Sequence, residues 1–251
     1  MRLTLGTATV LTTAALIAGP AAASTFVFES GEIDRNTWTG VPLNVTTSFN
    51  PETDVLTWSS TFRASTYPTA QNKNAVIDGA WLVVNDGGEP KGTESQYPIF
   101  YLDGLNDVVS MYQYDGTWYS DSWKAADAIY LGSVPLTSDR SKQFQTYSFE
   151  LDATALNSRD DIDPNWQGVH FAEEVGIWFH GVEDLTAAYN ADGSLAQFDY
   201  GKFNYYDVIE MPTVKMAPPT GVPEPSLLLG LGAISLSALG LRRRDSDRSQ
   251  A

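Results

Sequence analysis

Residues 43–65 read LNVTTSFNPETDVLTWSSTFRAS. Two runs of alternating polar and apolar residues flank Asn50-Pro51-Glu52-Thr53-Asp54. Period-two alternation is the mark of a strand, because successive side chains point to opposite faces. A short segment rich in Asn, Pro and Asp between two such runs is a turn. The stretch is therefore expected to be a β-hairpin.

Working outward, the same pattern recurs. Residues 80–84 form an apolar run that ends in Asn85-Asp86-Gly87-Gly88. Strands are expected over 99–102 and 108–114, joined by a tight turn at Asp103-Gly104. AIYLGSVPL at 128–136 is another candidate. FQTYSFELDAT at 144–154 alternates well, with Phe144, Tyr147 or Phe149, and Leu151 as expected inward positions. Further strands are expected over 175–180, on both sides of Asp192-Gly193, and over 205–210. Helical periodicity is confined to 122–127 and a turn at 153–157. Strands recurring between Gly, Asn and Asp, with no repeat of fixed period, predict an all-β fold: an antiparallel β-sandwich or jelly-roll-like domain over 24–211.

Composition narrows the function classes. The 251-residue chain carries a formal net charge of −16. A surface this acidic repels a phosphate backbone, so no nucleic-acid partner is expected. The absence of cysteine removes disulfides, thiol catalysis and thiolate zinc sites together. Seven Trp and twelve Tyr supply material for a packed core despite the charge.

The two ends read differently from the middle. The N-terminus, MRLTLGTATVLTTAALIAGPAAAS, has Arg2 at its start, an apolar stretch over 10–18, and Ala21 and Ala23 in small-x-small spacing. That order is the pattern of a signal peptide over 1–23, with cleavage before Ser24 and export of the remainder. Near the other end, 212–221 is a Pro-rich linker containing Pro212, Pro218 and Pro219. Residues 226–241 carry no charge, and as a helix they would be roughly 24 Å long, near the thickness of a hydrocarbon core. Arg242, Arg243 and Arg244 follow directly. The positive-inside rule keeps them cytoplasmic, so 226–241 is expected to be a single transmembrane helix and 245–251 a short cytoplasmic tail.

Pro223-Glu224-Pro225, the apolar span and the arginine cluster together resemble the PEP-CTERM sorting signal, over 222–244. The resemblance implies an exosortase-type processing peptidase as a partner and transient residence in the inner membrane. It further implies final delivery to the cell envelope or the extracellular space. It covers only the tail. The prolines lack N–H donors and disfavour helix before them, which leaves an extended segment that a peptidase cleft can grip.

Catalytic signatures are sparse. The only histidines, His170 and His180, lie ten residues apart in VHFAEEVGIWFH and could meet on one face only along an unbroken strand. Asp160, Asp161, Asp163 and Asn165 offer oxygen ligands in a run suited to calcium, although the glycine and terminal Glu of an EF-hand loop are missing. Glu150 with Asp152, or Glu173 with Glu174, are the nearest carboxylate pairs for glycoside hydrolysis. Neither a Gly-x-Ser-x-Gly elbow nor a Walker loop is present. Trp118, Tyr119 and Trp123 fall where a loop is expected and could stack on sugar rings, whereas Trp81 and Trp178 lie within strands and read as core. The expectation is a non-enzymatic, exported envelope or extracellular-matrix protein, associated with exopolysaccharide and without a cofactor. The alternative is a carbohydrate-binding sandwich module, with calcium held structurally by the acidic run. A glycoside hydrolase is the least favoured reading.

Overall fold

The computed structural model describes residues 25–30, 41–64, 77–87, 94–116, 121–141, 143–172 and 174–208. Thirteen strands run through them: β1 (Phe26–Glu29), β2 (Val41–Asn50), β3 (Val55–Arg63), β4 (Gly79–Asp86), β5 (Pro98–Asp103), β6 (Val108–Gln113), β7 (Tyr130–Pro135), β8 (Thr137–Arg140), β9 (Phe144–Asp152), β10 (Val175–Glu183), β11 (Thr186–Tyr189), β12 (Leu195–Asp199) and β13 (Lys202–Val208). Helix is limited to a 3-10 turn at Ser122–Lys124 and one turn of α-helix, α1, at Thr154–Asn157. The chain is all-β, and every pairing is antiparallel.

The strands form a five-stranded sheet in the order β1-β2-β3-β9-β8, a six-stranded sheet in the order β13-β10-β4-β5-β6-β7, and the separate hairpin β11-β12. The expected hairpin at 43–65 is β2-β3, in register from Val41 opposite Arg63 to Asn50 opposite Val55, with one irregularity at Pro42/Asn44. Its alternation decides its faces. Val45, Thr47 and Phe49 on β2 and Leu56, Trp58, Ser60 and Phe62 on β3 are buried, while their neighbours are not. The apolar ones, Val45, Phe49, Leu56, Trp58 and Phe62, share one core with Leu82, Phe100, Ile177 and Phe179 of the other sheet. Trp58 lies 5.4 Å and Phe62 5.3 Å from Phe179 between ring centroids, and Phe100 lies 5.6 Å from Phe149. Two sheets sharing their inner faces in this way make a β-sandwich.

One end of the sandwich is tied by polar groups. Tyr147 on β9 donates its hydroxyl to the carbonyl of Ile77, just before β4, at 2.9 Å. Arg140 on β8 pairs with Asp78 at 2.8 Å, and the other oxygen of Asp78 accepts from the amide of Asp184. The carbonyl of Asp78 accepts from the amide of Gly104. Burial pushes the Tyr147 phenol well above its ordinary pKa, so the bridge stays a donor at any ordinary pH.

The six-stranded sheet is covered on both faces. All of β5, and β4 as far as Asn85, is buried. Ala80, Leu82 and Val84 point into the sandwich, and Trp81 and Val83 point into a second cluster on the far side, roofed by β11-β12 and the 121–130 segment. Continuous apolar runs are what a doubly covered strand requires.

Several expectations shift. Phe144 is outward-facing and 42% exposed, because it is an even-numbered residue on a strand whose odd positions, Tyr147, Phe149 and Leu151, face inward. Asn85 and Asp86 extend β4 instead of opening a turn. The helical segment at 122–127 shrinks to three residues. The last strand covers Lys202–Val208 instead of 205–210. The expected signal peptide, the linker, the sorting signal at 222–244, the span at 226–241 and the tail at 245–251 lie outside the described residues. Among the described residues no helix is long and apolar enough to cross a membrane.

Candidate functional site

Two surfaces carry the residues singled out above: the aromatic layer outside the six-stranded sheet, and the acidic loop after α1. In the aromatic layer, register does the positioning. His180 on β10 lies directly opposite Trp81 on β4. Their rings stack at 3.7 Å with 16° between planes, and Trp178 meets Trp81 edge-on at 5.0 Å. Trp81 is core as expected, but it belongs to this outer layer, and Trp178 is only half-buried there. Trp123, on the 3-10 turn, is half-buried and packs against the same layer. Lys124 Nζ lies 5.0 Å from the centroid of the Trp123 ring, and pairs with Asp121 at 3.3 Å and Asp199 at 3.7 Å. Trp118 and Tyr119 lie outside the described residues. Trp123 is therefore the one member of the stacking trio with a described position, with one side in the layer and part of its surface in solvent.

The roof of this layer hangs on a buried carboxylate. Asp103, at the end of β5, is fully buried. Its oxygens accept from the amides of Leu105 (2.9 Å) and Asn106 (3.1 Å), from the Asn106 side-chain amide (2.7 Å), and from the Tyr189 hydroxyl on β11 (2.7 Å). On β12, the amide of Leu195 donates to the Tyr112 hydroxyl at 2.6 Å. One acid thus shapes the β5-β6 turn and pins the hairpin.

His180 is a pH-sensitive point in the layer. Burial pushes its pKa from 6.5 down to about 3. The unfolded chain takes up this proton near pH 6.5, so it binds more protons than the folded chain between these values. Stability therefore falls as pH falls through this window. Between pH 7.5 and 5 this group is expected to remove about 2 kcal/mol of unfolding free energy. Urea unfolding at both pH values checks it, and His180→Gln should flatten the acid-side slope.

The acidic loop is built on α1. The Asp152 carboxylate accepts from the Thr154 amide at 3.0 Å, starting the turn. Asn157, at its end, accepts from the Val169 amide (2.7 Å) and donates to the Val169 carbonyl (3.0 Å) and to Asp54 (3.1 Å). Trp166 Nε1 donates to the Leu156 carbonyl at 3.0 Å. Gly168 is at φ +70°, and a Cβ there would run into Asn157, so the loop returns at a residue that only glycine fits. Within the loop Arg159 grips both oxygens of Asp161 at 2.9 and 2.8 Å. This holds the Asp161 carboxyl below its usual range. Asp163 accepts from the Asn165 amide at 2.8 Å, and Asp160 is exposed. Two of the four expected calcium ligands, Asp161 and Asp163, are thus engaged locally, and among the described residues no group of three or more His, Asp or Glu is placed to hold a metal.

The remaining candidates are separated. His170 Nδ1 lies 3.4 Å from Asp86, far from the aromatic packing of His180. Glu173 lies outside the described residues and Glu174 is exposed. Glu150 and Asp152 share the outer side of β9, but the Thr154 hydroxyl and amide hold the Asp152 carboxyl below its usual range. The acid of a glycosidase pair needs the opposite shift, so Asp152 fits only the ionised partner's place.

In β2, β3 and β9 the buried half of the alternation marks the core. The outward half includes Thr46, Ser48, Thr57, Ser59, Thr61, Thr146 and Ser148, a run of hydroxyls at period two that catalytic motifs do not contain and that is a signal in its own right. Comparison with protein-family models, with curated proteins and with solved structures gave no match.

Proposed function

We propose that the protein is an exported, exosortase-sorted component of the cell envelope or extracellular matrix, non-enzymatic and associated with exopolysaccharide. One observation carries this reading: Pro223-Glu224-Pro225, sixteen uncharged residues and Arg242-Arg243-Arg244 follow one another in that order. The uncharged run suits a pause in the inner membrane, the arginines set its direction, and the prolines keep the segment outside it extended. The signal-peptide pattern over 1–23 supplies the export such a tail requires. An acidic sandwich in which Asp78, Asp103, Asp152 and Asp161 are taken up by turns, caps and ion pairs supports a binding or scaffolding role over turnover. No cofactor enters this reading. Calcium at the acidic loop would have to displace Arg159 from Asp161.

The test is the intact mass of the protein recovered from the producing cells. Mature material is expected to begin at Ser24 and to lack 226–251, while a chain with Arg242, Arg243 and Arg244 replaced by Glu accumulates unprocessed. Recovery of extracellular protein that still ends at Ala251 would overturn the reading.

A further inference from the structure

Eight outward residues of the five-stranded sheet form an ordered field of hydroxyls. Across the strands, Ser48 faces Thr57, Thr46 faces Ser59, Ser59 faces Ser148, Ser148 faces Thr137, and Thr61 faces Thr146. Neighbouring strands lie about 4.8 Å apart and alternate residues about 6.8 Å apart, so these eight hydroxyls occupy a near-regular grid. Cross-strand hydrogen bonds set the rotors of two pairs, Ser48 with Thr57 at 2.7 Å and Thr61 with Thr146 at 3.1 Å. The face is not flat. A depression of about 330 Å³ opens on it, lined by Thr46, Thr57, Ser59, Thr137, Ser148 and Glu150, together with Trp58 and Phe149, whose side chains belong to the core beneath.

We propose that this face binds a neutral polysaccharide chain, an inference that rests on the exopolysaccharide association above and assigns its contact surface. The chemistry selects the occupant. A hydroxyl both donates and accepts, as do the hydroxyls of a sugar, so a grid of them can exchange water for glycan without leaving an orphaned group. Charge stands around the hydroxyls at Glu29, Asp139, Arg63 and Asp152, and at Glu150, which borders Thr57 and lines the depression. Four of those five are acidic and the chain carries a net charge of −16, which repels an anionic polymer. A protein partner would want an apolar or aromatic anchor in the centre of the patch. Among the described residues, the apolar outward side chains Val27, Val55 and Phe144 lie instead at its margins. The depression lets a chain lie partly sunk among the hydroxyls, with more of its surface in contact than on a flat sheet.

The probe is the producing strain's own extracellular polysaccharide, separated by ion exchange into neutral and anionic fractions, with the native protein run through affinity gels containing each. Retardation is expected in the neutral fraction alone. Ser59→Glu and Ser148→Glu, each placing a carboxylate in the centre of the grid, should weaken binding at least tenfold. Ser59→Thr should leave it within twofold, and far-ultraviolet circular dichroism should show all three variants folded. Undiminished binding by both Glu variants, or loss of binding in Trp123→Ala instead, would remove the site from this face and leave the exopolysaccharide reading standing. Failure of the unaltered protein to bind either fraction would overturn both. Binding to the anionic fraction alone, or a concentration-dependent dimer abolished by Ser59→Glu, would assign the face another occupant and overturn the proposal.

Discussion

Asp103→Ala is expected to lower the unfolding free energy by about 3–5 kcal/mol, a drop in Tm on the order of 10 °C for a domain this size. The carboxylate is fully buried and takes four hydrogen bonds. Bonds to a charged group contribute about 1.5–3 kcal/mol each, and deletion also leaves their donors buried without an acceptor. The damage should be directional. Amides of Leu195 and of the β11-β12 ladder should exchange with solvent much faster, because Tyr189 no longer anchors the roof. Asp103→Asn keeps one accepting oxygen and should cost roughly half as much. Urea unfolding and hydrogen exchange measure both effects, and a change of under 1 kcal/mol in Asp103→Ala would show that the roof is held elsewhere.

Trp58→Ala should be comparably severe, at about 3–5 kcal/mol. The ring is 1% exposed and sits against Phe179 across the sandwich. Its removal opens a cavity that two hydrogen-bonded sheets cannot collapse to fill. The informative control is next door. Ser59 lies on the opposite side of the same strand, and Ser59→Thr should shift stability by no more than about 0.5 kcal/mol. Urea midpoints for the pair test the alternation directly, since a register slip of one residue would exchange the two outcomes.

That alternation is the portion of the fold most legible in the sequence. It identifies β2, β3 and β9, and with them the sandwich, because one-sided burial writes a period of two into the residues. β1 and β8, four residues each, pass unread, whereas the equally short β11 is read because Asp192-Gly193 marks its hairpin. Strand order is not legible either. The pairing of β3 with β9 joins residues about ninety positions apart and leaves no local trace. Nor is the third layer, since Trp81 and Trp178 look like core whichever side of the sheet they cover. The acidic run is visible as composition, but its engagement by Arg159 depends on a turn that spacing alone does not specify. The hydroxyl grid lies between these cases. Its rows are written along each strand, and its columns exist only once the strands are paired.

β13 lies at the rim of the six-stranded sheet, paired among the described residues with β10 alone, and Val208 is its last residue toward the carboxyl end. Tension transmitted from that side meets a single ladder, which can open bond by bond like a zipper. β10, held between two neighbours, resists as a unit. Force applied from the carboxyl side would therefore open β13 first, as a mechanical fuse, and spare the strands that shape the two faces.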